Sequence, residues 1–143
     1  MLRIGLAYVC TGVVFLALDA GFLTLVGPRL YRPDIGAILG DSVRIAPAIL
    51  FYLLYIAGLI YFCVGPALNA NAGAGGWTRA LTAGVVLGLL AYGTYDLTCQ
   101  SVMRVWTWRI TLVDMAWGAF ASGAASAVGL LATSALKSKL SLS

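Results

Sequence analysis

Residues 45–68 read IAPAILFYLLYIAGLIYFCVGPAL, 24 positions without one charged side chain. A helix of about 20 apolar residues already crosses the roughly 30 Å of hydrocarbon in a bilayer. Backbone groups in lipid must find their hydrogen bonds inside their own segment, and the alternating ten-residue strands of a barrel are not visible here. The run is therefore expected to be a membrane-crossing helix. Three runs like it flank it. One covers about residues 4–26, interrupted only by Asp19; one covers about 80–103 and carries Asp96; one covers about 110–136 and carries Asp114. The expected fold is all-α, an integral membrane bundle of four transmembrane helices running up-down-up-down, with residues 1–143 as a single transmembrane domain.

Composition supports this. The chain is 62% hydrophobic and only 10% charged, with a mean hydropathy of +0.97. Soluble domains carry about 25% charged residues, so this chain has too few to cover a water-facing surface. Its net charge of +4 comes from basic residues scattered at the ends of apolar runs. That distribution suits lipid head groups, and no nucleic-acid partner is expected. There is no histidine and no glutamate. Histidine-ligated haem, histidine zinc sites and Ser-His or Cys-His nucleophiles are excluded, and acid–base work falls to aspartate, tyrosine, cysteine, lysine or arginine. Cys10, Cys63 and Cys99 fall inside apolar segments with no metal or disulfide spacing, and read as small hydrophobes. No metal is expected, and no residue pattern names a cofactor.

The connections are readable too. Gly27-Pro28 closes the first helix, and a polar loop with Arg29, Arg32, Asp34, Asp41 and Arg44 follows. Pro47 suits the first turn of the second helix, and Gly65-Pro66 is expected to mark its end. Asn69 to Gly76 reads as a flexible turn, and Arg104 to Arg109 as a short interfacial loop anchored by Trp106 and Trp108. The first segment is expected to be retained, because its apolar run is long, holds Asp19 and precedes no small-x-small cleavage site. Arg3, Arg79, Lys137 and Lys139 share one side; Arg29, Arg32, Arg44, Arg104 and Arg109 share the other. The far-side arginines lie among aspartates that can pair them, which leaves a preference for both termini in the cytoplasm of a bacterial inner membrane.

The up-down path brings the polar groups to one depth. Asp19 comes late in the first helix, Tyr52 and Tyr55 early in the second, Tyr92, Tyr95 and Asp96 late in the third, Asp114 and Trp117 early in the fourth. Helical spacing surrounds Asp96 with Gly88, Leu89, Tyr92, Gly93, Cys99 and Gln100, and Asp114 with Trp117, Gly118, Ala121 and Ser122; such small and polar faces are expected to look inward. Gly118, Ser122 and Ser126 suit close packing against a neighbouring helix. A mid-membrane aspartate costs about 2.5–3.5 kcal/mol on insertion scales. Either burial keeps the acids protonated, or Arg44, Arg104 or Arg109 reaches in from the boundary as a charge partner.

Four strings carry a family resemblance: Leu18-Asp19, Phe51-Tyr52-Leu53-Leu54-Tyr55, Tyr92-Gly93-Thr94-Tyr95-Asp96-Leu97-Thr98 and Val113-Asp114-Met115-Ala116-Trp117-Gly118. Together they resemble an uncharacterised bacterial membrane family, domain of unknown function two-one-seven-seven, over nearly the whole chain. The resemblance implies four transmembrane helices and no established activity. The family usually has asparagine after the TYDLT string, where this chain has Cys99.

The favoured functional expectation is an intramembrane pocket of Asp19, Tyr52, Tyr55, Tyr92, Tyr95, Asp96, Asp114 and Trp117 that binds a lipophilic or small polar ligand in a binding or accessory role. A membrane-embedded enzyme of lipid or isoprenoid modification with an aspartate acid or base, and a proton-coupled small transporter working as an oligomer, are the alternatives. Membrane lipids are the expected surroundings, with a homo-oligomer or a membrane-protein partner as further possibilities.

Overall fold

The computed structural model describes residues 2–70 and 75–139. Of the turn expected between Asn69 and Gly76, residues 71–74 lie outside the described residues. Four helical spans are long and apolar enough to cross a membrane. The first is α1 (Leu2–Leu25); α2 (Gly27–Leu30) and α3 (Arg32–Ile35) follow it, with a 3₁₀ turn at Gly36–Ile38. The second span consists of α4 (Ile45–Leu59), a π-helical turn (Ile60–Val64) and α5 (Gly65–Asn69). The third is α6 (Gly76–Val102) and the fourth α7 (Trp108–Lys139). The chain is an all-α membrane bundle.

Three local readings need correction. Gly65-Pro66 does not end the second span. Proline lacks the N–H that an α-helix would use there, and the chain absorbs the defect in the π turn, where the Gly65 N–H reaches the Ile60 carbonyl. A side chain at Gly65 would sit 2.8 Å from that carbonyl oxygen, so glycine is what permits the geometry. The polar loop after α1 is not an open loop either. Pro28 and Pro33 lie in the first turns of α2 and α3, where a missing N–H costs nothing. These short helices bury Leu30 and Ile35 against Phe22, Trp106 and Ile110. Trp106 is thus a buried residue and not an interfacial anchor: its indole N–H donates to Thr111 Oγ1 at 3.2 Å. Trp108 is exposed.

α7 is the central helix, with half of its apolar window buried against about a third or less for the other spans. It packs on α1 and, most extensively, on α6. The α6 contact is made of small residues. A methyl group at Gly84 would sit 2.5 Å from the Ser122 carbonyl oxygen, and one at Gly88 would run into the carbonyl of Gly118. Gly84 and Gly88 form a GxxxG pair, and the row Gly118, Ser122, Ser126 is its counterpart within the same chain. Lipid tails are as apolar as leucine, so helix association in a bilayer depends on such close van der Waals packing.

The second span is attached unevenly. From the π turn onward it buries Ile60, Cys63, Val64, Ala67 and Leu68, while in α4 only Ile56 and Leu59 are buried. α6 packs on the π turn and α5 but not closely on α4. The first half of the span therefore stands off from α6, and a cleft remains.

Candidate functional site

Depth follows from counting. Asp19 lies six residues before Leu25, Asp96 six before Val102, Asp114 six after Trp108, and Tyr52 seven after Ile45. At 1.5 Å per residue, all four Cα atoms lie about 9–10.5 Å along their helices from the same end of the bundle.

At this level the cleft widens into a cavity of about 340 Å³. That is within the usual range for small-molecule pockets, roughly 300–1,000 Å³. Asp19 forms one polar wall. Its Oδ2 accepts a hydrogen bond from the Tyr52 hydroxyl at 2.6 Å and its Oδ1 accepts one from the Trp117 indole N–H at 3.3 Å. Trp117 is fixed by stacking on Phe22, with ring centroids 4.5 Å apart. Asp114 forms the second polar wall, where its Oδ1 accepts a hydrogen bond from the Tyr31 hydroxyl. Its Oδ2 accepts none among the described residues, although Asp114 is 94% buried.

Tyrosines and Phe51 make most of the remaining wall. The Tyr55 hydroxyl pairs with Ser122 Oγ at 2.7 Å, and Phe51 stacks on the Tyr55 ring at 5.3 Å. Tyr92 lies edge-on to Tyr55 and covers Gly118, whose missing side chain makes room for the ring. Leu23, Phe51 and Tyr95 line the cavity yet are exposed, so the mouth opens sideways through the cleft to the surface that faces lipid.

The expected residues divide as follows. Asp19, Tyr52, Tyr55, Tyr92, Asp114 and Trp117 come together around the cavity, and Tyr95 stands at its rim, 59% exposed. Asp96 shares their level but does not line the cavity; it is fully buried, and neither carboxyl oxygen has a hydrogen-bond partner among the described residues. None of the three arginines forms an ion pair with Asp19, Asp96 or Asp114. Arg109 forms the only ion pair among the described residues, 3.3 Å from Asp34, and also donates to the Leu30 carbonyl at 3.0 Å. Arg44 and Arg104 are exposed. The physical reason is position: all three lie at the boundary, where their guanidinium groups stay hydrated.

Tyr31 is the residue that the sequence did not point to. It lies between arginines in what reads as a polar loop, and the signal that could have found it is Leu30 and Ile35, two apolar residues at inward spacing around it. Asp34 holds this segment down, accepting from Thr107 Oγ1 at 2.7 Å and pairing with Arg109. Burial, followed by the hydrogen bond to Asp114 and the charges of Asp114 and Asp96, raises the Tyr31 phenol above its ordinary value, so it remains a donor at any physiological pH.

The chain belongs to the family described as "Predicted membrane protein (DUF2177)", whose pattern matches residues 4–131. No curated protein and no solved structure matches it.

Proposed function

We propose that this integral membrane protein is a binding or accessory protein that takes one lipophilic molecule from the bilayer into the cavity of Asp19, Asp114 and their tyrosines. The observation that carries this reading is a lined cavity with a lateral mouth: two buried carboxyl groups at the back, aromatic walls, and an opening between α4 and α6. Apolar walls with a few convergent polar groups are what a ligand site requires, and ionisable groups within a membrane are functional by default. We take both termini to face the cytoplasm of a bacterial inner membrane, which sets the cavity in the outer half of the bilayer.

An enzyme of lipid or isoprenoid modification would use the same groups, with Asp114 and Tyr31 as a proton-exchanging pair. The two readings differ in turnover. Mass spectrometry of everything that purifies with the protein should find a discrete lipophilic species at close to one per chain. Ala91 lines the cavity, and Ala91→Trp should fill it and remove that species. Identical spectra for wild type and Ala91→Trp would end the binding proposal. A new lipid product in expressing membranes, lost in Asp114→Asn, would favour the enzyme.

A further inference from the structure

We infer that the ligand class is a single-chain lipophilic cation, an amine or quaternary ammonium on an apolar tail. This rests on the binding role proposed above and adds the chemistry of the head. Of the thirteen residues lining the cavity, eight are aromatic, two are aspartates and none is basic. The three arginines that could have served are engaged elsewhere or exposed: Arg109 is held by Asp34, and Arg44 and Arg104 are exposed. The cavity therefore presents acid with no counter-cation from the chain.

Asp114 supplies the independent pointer. It is more than nine-tenths buried and lines the cavity, and its second carboxyl oxygen has no hydrogen-bond donor among the described residues. That oxygen is left to whatever fills the cavity, and a guest that brings an N–H or a positive charge supplies the missing partner. The rings provide the other half of ammonium recognition. Phe51, Tyr52, Tyr55, Tyr92 and Trp117 line the same space, and a cation against aromatic faces is attracted by their quadrupoles, more strongly when water is excluded. A zwitterionic phospholipid head fits less well. Its phosphate would enter beside Asp19 and Asp114, where no basic side chain receives it. A neutral alcohol would donate to Asp114 but brings no charge to pair with the carboxylate that a bound cation would hold ionised.

The test is isothermal titration of the purified protein in phosphatidylcholine nanodiscs, with empty nanodiscs subtracted and three probes of one chain length: dodecyltrimethylammonium, dodecanol and dodecylphosphocholine. The ammonium should saturate at one per chain and bind at least about tenfold more tightly than the other two. Asp114→Asn should erase most of that preference while dodecanol binding stays within about twofold. Dodecanol or dodecylphosphocholine binding as tightly as the ammonium would overturn the cation assignment and leave the cavity as a ligand site. Failure of all three to saturate would sink the binding role as well. The ranking on wild-type protein needs no variant, so it decides the matter even if Asp114→Asn does not fold; Asp19→Asn offers a second carboxyl deletion.

Discussion

Tyr31 shows how one side chain can tie the segment after α1 to an acid inside the helical bundle. Its hydroxyl reaches Asp114, and its phenol is held well above the ordinary tyrosine range by burial and by the neighbouring acids. The sign follows from linkage. A folded-state value raised above the unfolded one, about 10, contributes stability that is complete below pH 10 and declines as pH rises beyond it. Thermal unfolding in detergent should therefore show an alkaline loss of stability that is smaller in Tyr31→Phe. At neutral pH the same variant should lose about 1–3 kcal/mol, because Asp114 is left with no donor. Asp19, Tyr52, Asp114 and Trp117 could be chosen from the sequence because helical spacing and an up-down path decide depth and facing together. Tyr31 could not, since its placement depends on how α2 and α3 fold back. Asp96 was legible as an acid within an apolar span, but that it lies outside the cavity is a matter of packing that spacing cannot resolve.

Among the elements, the α6–α7 pair is held by absence of side chain. Gly88→Ala forces a methyl group into the Gly118 carbonyl, an overpacking that should cost about 1–3 kcal/mol in a thermal or denaturant assay. Gly5→Ala is the matched control: nothing lies within 4 Å of the added methyl, and removing a helical glycine should be neutral or stabilise by up to about 1 kcal/mol. The row Gly118, Ser122, Ser126 was legible as a close-packing face, and the partner that fills it is α6 of the same chain. The π turn was not legible. A Gly-Pro pair ends most helices, and only the surrounding packing decides that this one continues to Asn69.

For the molecule as a whole, the uneven attachment of the second span governs both dynamics and access. Hydrogen exchange in detergent should be slowest along α7 and faster in the first half of α4, which buries few residues, than in α5. Uniform protection along the second span would contradict the open cleft. The four spans were readable from hydropathy because bilayer thickness leaves little freedom in length. The cleft was not, because it depends on how closely each half of the second span packs on α6, which hydropathy does not encode. A guest of the proposed site, its polar end drawn about 9–10 Å inward of the helix ends, would sit out of register with the leaflet around it. Its tail would extend by the same amount toward the opposite monolayer, so that the bilayer midplane would become a ruler favouring short chains.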